Sequence, residues 1–270
     1  MKSHTAWLAS YPKSGNTWVR AWLNALQLGE APNLNQLSGM QLHNSMDAGL
    51  GLSLGDLSPA QIGPMMRLSW ATSRTLDGSF ITRKTHHAWV DGPDGFPISW
   101  QPDGARAVYL IRDPRAVAVS WAHHAGISLA ESVSCLATDI RSDIWASVRT
   151  GDVLSTWSNH VRSWTSQRDI PLIVVTYESM VHEPAVQLAR IANFLDIRCT
   201  PAQIDAAVEA CAFTTLATRE IFEGFVEAIG DRAFFRRGET DSWRQELPPE
   251  LAEQIVKDQG DVMAEFGYAP

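Results

Sequence analysis

The sequence predicts an α/β fold: a single domain over residues 1–270, built on one parallel sheet flanked by helices. Three observations carry that expectation. Four short apolar runs are rich in β-formers and lack strict alternation, as parallel strands buried on both faces require. Helical patterns lie between them, and such alternation favours a doubly wound sheet. The composition is globular, with 45% hydrophobic and 19% charged residues in 270, ample for one full core.

The elements follow in order. Strands are expected over 4–11, 79–86, 106–112 (ending AVYLIR) and 172–177 (LIVVTY), the last two nearly continuous in β-formers. After the first strand and its loop, Trp18, Val19, Trp22, Leu23 and Leu26 mark an apolar helix. Asp113 is placed to cap, and Pro114 to start, the helix after the third strand. Trp157, Val161 and Trp164 share one face of a helical pattern within 151–168. Leu188, Ile191 and Leu195 do the same behind Glu183-Pro184. Two stretches, 29–56 and 220–241, have little periodicity and much Gly. They are expected to be lids or walls of a substrate pocket.

Charge narrows the function. With 22 basic and 30 acidic residues the net charge is −8, so no broad basic footprint for nucleic acid is expected. No apolar stretch approaches the ~20 residues of a membrane span, and the polar-interrupted N-terminus lacks a signal core. Three cysteines with no C-x-x-C spacing fit buried free thiols, so a cytoplasmic location is expected. No H-E-x-x-H or comparable spacing occurs, and no metal is expected.

The chemistry gathers in a few segments. Ser10-Tyr11-Pro12-Lys13-Ser14-Gly15-Asn16-Thr17-Trp18 joins a strand to a helix through a glycine-bearing loop, the arrangement that turns free N–H groups toward an anion. It is not the nucleoside-triphosphate loop, because Lys13 precedes Gly15. In RAVYLIRDPRAVAVSW (106–121), Arg112 ends a strand and Ser120 follows two turns along the next helix. Arg112 offers the planar fork that suits phosphate, although a salt bridge to Asp113 would use the same group. Near the C-terminus stands FRRGETDSWR (235–244). In RKTHH (83–87), strand alternation points Lys84 and His86 together and His87 away, setting a base beside a cation. YESM (177–180) and AFTT (212–215) follow, each equally open to core packing.

Taken together, in this order and over residues 10–244, these segments resemble the signatures of the 3′-phosphoadenosine-5′-phosphosulfate (PAPS)-dependent sulfotransferases. YPKSGNTW is similar to YPKSGTTW, with Asn16 for Thr. The resemblance implies a P-loop-like sulfotransferase fold and PAPS as co-substrate. Lys13, Ser14, Gly15, Asn16 and Thr17 would hold the 5′-phosphosulfate, and Trp18 the adenine. Arg112 and Ser120 would bind the 3′-phosphate, with Arg236, Arg237 and Gly238 closing over it. Tyr177 and Phe213 would contact the base. Asp241-Ser242, where the family has Gly-Asp, is a departure that puts the local loop conformation in question. By the same resemblance His86 is the general base, Lys84 contacts the transferring sulfuryl group and Lys13 the leaving phosphate oxygen. His87 is the competing base.

The implied acceptor is a hydroxyl of a small molecule. Among 11 tryptophans, Trp89, Trp100 and Trp121 follow the catalytic strands and favour an aromatic or natural-product acceptor. His123 and His124 follow Ser120 on the same helix, where two readings stand: lining of the acceptor pocket, or the more ordinary one of partly exposed helix residues. Self-association is open at this level. Two other readings stand beside this one. An ATP/Mg-dependent small-molecule kinase would need the absent triphosphate loop. A nucleotide-binding module without catalysis would have damage at Lys13, Lys84 or His86, and all three are present.

Overall fold

A computed structural model describes residues 5–37, 81–92, 104–138 and 153–268, with isolated positions at 57–58, 61, 64–65, 95–97 and 99. Four strands, β1 (Thr5–Ser10), β2 (Ile81–Thr85), β3 (Arg106–Ile111) and β4 (Leu172–Thr176), form one wholly parallel sheet in the order β2-β1-β3-β4. The helices are α1 (Asn16–Leu28), α2 (Pro114–Ala125), α3 (Leu129–Ala137), α4 (Trp157–Ser166), α5 (Tyr177–His182) and α6 (Pro184–Phe194). They continue with α7 (Pro201–Ala210), α8 (Phe213–Glu223), α9 (Trp243–Glu246) and α10 (Pro249–Glu265). The α/β architecture is the one expected. Of the segment expected over 29–56, residues 29–37 are described and carry a 3₁₀ turn at Leu34–Gln36; the remainder lies outside the described residues.

Strand alternation sorts the core into two layers. Trp7, Ala9, Tyr109 and Ile111 face a cluster with Trp157, Val161 and Trp164 of α4 and Ile255 and Val262 of α10. Ala6, Leu8, Val108 and Leu110 face the other way, onto Val19, Trp22 and Leu23 of α1 and Leu188 and Ile191 of α6. The cysteines are all free, Cys211 buried and Cys199 partly so; Cys135, expected inside, is exposed on α3.

Each strand stops one residue before its expected carboxyl end, and after β3 and β4 the chain turns there into a helix start. Asp113 Oδ1 accepts the Arg115 N–H at 2.8 Å ahead of α2, and Thr176 Oγ1 accepts that of Ser179 at 3.1 Å ahead of α5. The register sets Ala9 beside Thr85, Ser10 beside Leu110 and Ile111 beside Thr176. The residues just beyond the strand ends, Tyr11, His86, Arg112 and Tyr177, therefore stand abreast along one edge. In open parallel sheets that edge is where ligands bind.

Candidate active site

The loop after β1 is shaped by two left-handed residues, Lys13 (φ 68°) and Gly15 (φ 96°). At Gly15 a Cβ would meet Met180 Cε at 2.8 Å and the Tyr177 ring at 3.0 Å, so only glycine fits. No side chain caps α1 and its first turn holds no acid, which leaves its leading N–H groups for an anion. Asn16 faces inward: its amide donates to Leu8 O at 2.8 Å and Ser10 Oγ at 3.3 Å. Ser14 is fully buried, and its Oγ has no partner.

Cations converge on a cleft of about 530 Å³ above this loop. The Lys13 ammonium lies 3.7 Å from the centre of the Phe234 ring. Burial, then the neighbouring Arg112, lowers its pKa to about 7. Arg112 leaves Asp113 to Arg115, whose guanidinium pairs with that carboxylate at 2.8 Å. Arg112 itself donates to Lys13 O at 3.1 Å and Glu239 O at 3.0 Å, and lies 4.0 Å over the Tyr177 ring. It thereby ties the first loop to the C-terminal segment, while its buried Nε has no partner.

His86 is held in one tautomer. Its Nδ1 lies 2.8 Å from Ser10 O, a pure acceptor, so Nδ1 carries the proton and Nε2 is the basic nitrogen. His86 shares the cleft with Lys84, as strand alternation predicts. A buried support stands behind it: Tyr109 Oη lies 2.8 Å from His160 Nδ1, and His160 Nε2 donates to His86 O at 3.0 Å. His87 turns into the core, where its Nδ1 accepts the Val153 N–H at 2.9 Å and its carbonyl accepts from Trp164 Nε1 at 2.8 Å.

Most residues singled out in the sequence meet on this cleft. Lys13, Gly15, Asn16, Thr17 and Trp18 line its first wall, with Lys84, His86, Arg112 and Ser120 beside them. Tyr177, Phe213, Arg236, Arg237 and Gly238 complete it. Ser14 is buried behind this wall and does not line it. Trp121 and His124 also line the cleft; His124 is partly exposed, as expected, and its pKa is lowered to about 4 by burial and by Lys13. Trp89 does not. It packs on Trp164 at 4.9 Å and donates to Asp169 at 3.2 Å, because the chain after β2 turns under the sheet. Trp100 lies outside the described residues.

Asp241 requires no glycine, since among the described residues only Lys13, Ser155 and Asp196 combine a side chain with positive φ. The left-handed residue of that segment is Gly238, at φ 69°, where a Cβ would fall 2.4 Å from the Phe213 ring. Gly238→Ala is expected to cost about 1–3 kcal/mol and lower the thermal midpoint by several degrees, read by calorimetry. An unchanged midpoint would refute this strain.

Three carboxylates escaped the sequence reading. Glu246 takes Arg236 in a two-pronged pair at 2.6 and 2.8 Å and lies 3.6 Å from Arg237. Glu220 accepts the N–H groups of Phe234 and Phe235 at 2.6 and 2.8 Å, fixing the aromatic edge. Glu227 reaches the cleft itself, where its Oε2 accepts from Lys84 at 3.1 Å and Thr17 at 3.3 Å. Its Oε1 pairs with fully buried Arg20 at 2.6 Å. Burial alone would raise its pKa, but Lys84 and Arg20 outweigh that and hold it at about 2.

Among the described residues no helix is long and apolar enough to cross a membrane, and no cluster of His, Cys, Asp and Glu is arranged to hold a metal. A profile of the sulfotransferase domain matches residues 3–267. Cytosolic sulfotransferase 8 of Arabidopsis thaliana is 25% identical over 260 residues, covering 92% of this chain and 73% of its own. Retinol dehydratase in complex with retinol and PAP superposes with a TM-score of 0.64 at 19% identity, covering 97% of this chain and 82% of its own. A mouse sulfotransferase complexed with PAP superposes with a TM-score of 0.65 at 16% identity, covering 96% of this chain and 84% of its own. At such identities the two structures establish the fold alone.

Proposed function

We propose that this chain, which belongs to the sulfotransferase domain family, transfers a sulfuryl group from PAPS to a hydroxyl of a small-molecule acceptor. The domain is taken as one unit over residues 1–270. The observation that carries the reading is the cleft itself: a base of fixed tautomer, His86, beside Lys84, facing Lys13 and Arg112 at an uncapped helix start.

The donor fits what these residues lack. Half-buried Lys13 has its ammonium destabilised beside Arg112, and Arg112 Nε is buried without a partner, so a polyanion relieves both. Trp18 and Tyr177, 6.0 Å apart, and Phe213 offer aromatic faces for a base. PAPS bound there supplies the sulfuryl group, its S–O bond to phosphate breaking as the acceptor oxygen bonds to sulfur. His86 Nε2 takes the hydroxyl proton, while Nδ1–H keeps its bond to Ser10 O and steadies the imidazolium. Lys84 and Lys13 carry positive charge to the transferring group and the leaving phosphate oxygen. Ser120, Arg112, Arg236, Arg237 and Gly238 take the 3′-phosphate end.

The acceptor side is apolar, with Trp121, Leu154, Val226, Ile229 and Phe234 along it, and favours a lipophilic alcohol or phenol. A retinol-bound relative supports that class. Free thiols and cytosolic relatives support a reducing, cytoplasmic setting.

Thermal shift tests the donor. Adenosine 3′,5′-bisphosphate at 100 times its dissociation constant should add about 2.7 kcal/mol of stability, and ATP with Mg²⁺ should add little. Stabilisation by ATP-Mg²⁺ alone would overturn the reading in favour of a kinase.

A further inference from the structure

We propose that Glu227 is a positioning residue for sulfuryl transfer, holding the Lys84 ammonium against the reacting group through a chain of contacts that begins in the core. The inference rests on the reading of Lys84 given above. A lysine side chain is a point charge on a flexible four-carbon stem, and it does not place itself. Here one of its three N–H groups goes to Glu227 Oε2 at 3.1 Å. The other carboxylate oxygen pairs with Arg20 Nη1 at 2.6 Å, and Arg20 Nη2 donates to Leu37 O at 3.2 Å. Arg20 is fully buried on α1, one turn past Thr17, so the far end of the chain is rigid.

Glu227 is itself fixed by its backbone. Asn35 accepts the Val226 N–H at 2.9 Å and donates to Gly224 O at 3.2 Å. Phe225, two residues back, packs against Phe234 at 4.9 Å and Phe235 at 6.0 Å. The carboxylate is therefore delivered to Lys84 from a pinned turn. Thr17 donates to the same Oε2 at 3.3 Å, so one group sets the spacing between α1 and β2 where the donor's reactive end would lie. It also sets a negative charge among Lys13, Lys84, Arg20 and Arg112, which lessens their mutual repulsion before any ligand arrives.

The test is a double-mutant cycle with Glu227→Gln and Lys84→Met, measured with PAPS and with 2-naphthol and a steroid alcohol as acceptors. Glu227→Gln is expected to lower kcat about tenfold or more, while adenosine 3′,5′-bisphosphate binds no more weakly than to the wild type. In the Lys84→Met background the same substitution should have no further effect, since it acts through Lys84. A merely structural carboxylate would slow both backgrounds alike, and that outcome overturns the proposal. So does wild-type kcat with tighter bisphosphate binding, which would make Glu227 only a competitor for the anion site. Should Glu227→Gln fail to fold, Glu227→Asp keeps a charge toward Arg20 but is one methylene too short to span both cations. Wild-type kcat in a folded Asp variant refutes the idea equally. If the wild type neither binds bisphosphate nor sulfates either acceptor, the functional reading fails first, and Glu227's role with it.

Discussion

His86→Ala is expected to lower kcat by about 10²–10⁴-fold while leaving adenosine 3′,5′-bisphosphate affinity within about threefold of the wild type. The split follows from where the imidazole sits. Its Nδ1 bonds to Ser10 O at 2.8 Å and lies 3.1 Å from Ser10 Oγ, so the ring meets the first loop's strand at its last residue rather than at the residues of the anion site. Arg112, Tyr177 and the α1 N-terminus, which face the nucleotide in this reading, do not depend on it. A general base acts on the acceptor's proton in the transition state, and its loss lowers the rate more than ground-state binding of the donor product. Steady-state turnover with isothermal titration of the bisphosphate measures both halves; turnover within threefold of the wild type would remove His86 from the reaction. His87→Ala gives the contrast. Its Nδ1 accepts the Val153 N–H and its carbonyl the Trp164 indole, so that variant should lose stability first.

That two adjacent histidines part so cleanly was legible in the sequence, because side chains on a strand alternate and one rule sends Lys84 and His86 to the same face. The four strands were legible for a related reason. β1 and β3 are central and buried on both faces, so their code is continuous hydrophobicity, needing no knowledge of neighbours. Lys13 and Arg112 stood out because each marks a strand end, where chain geometry and chemistry coincide. Glu227 did not. Its partners Lys84 and Arg20 lie 143 and 207 residues away in the chain, and nothing in a Gly- and aromatic-rich stretch distinguishes it from any surface acid. Glu246, which claims Arg236, was hidden for another reason: it stands only ten residues on, but no single helical or strand period relates the two. The tryptophans show the limit from another side. Trp89 and Trp121 both follow a strand, yet only Trp121 lines the cleft, because loop direction rather than sequence position decides which way an indole faces.

Binding of the bisphosphate is expected to weaken as pH rises above 7, by up to tenfold per pH unit, and to be nearly flat just below it. The cause is Lys13. Burial, then Arg112, brings its pKa in the free protein to about 7, so the ammonium is half lost near neutrality. A bound polyanion favours the charged form and raises that pKa, and binding then takes up a proton at any pH between the free and bound values. The sign follows directly: below 7 Lys13 is already charged and no uptake is needed, whereas above 7 each pH unit makes the charged form tenfold rarer. The groups facing Lys13 do not reverse this. Lys84 and Arg112 are cations that push its pKa down, while Glu227 and Glu220 push it up. His124, lowered to about 4, is neutral throughout the window. The ligand's own phosphates lose their second protons near pH 6, so only below that does the affinity fall again. Titration calorimetry in buffers of differing ionisation enthalpy reads both the slope and the proton uptake. Lys13→Arg is the control, because a guanidinium stays charged across the range and should flatten the slope above 7. A wild-type affinity that is level from pH 7 to 9, with no proton uptake, would show that Lys13 does not meet the anion.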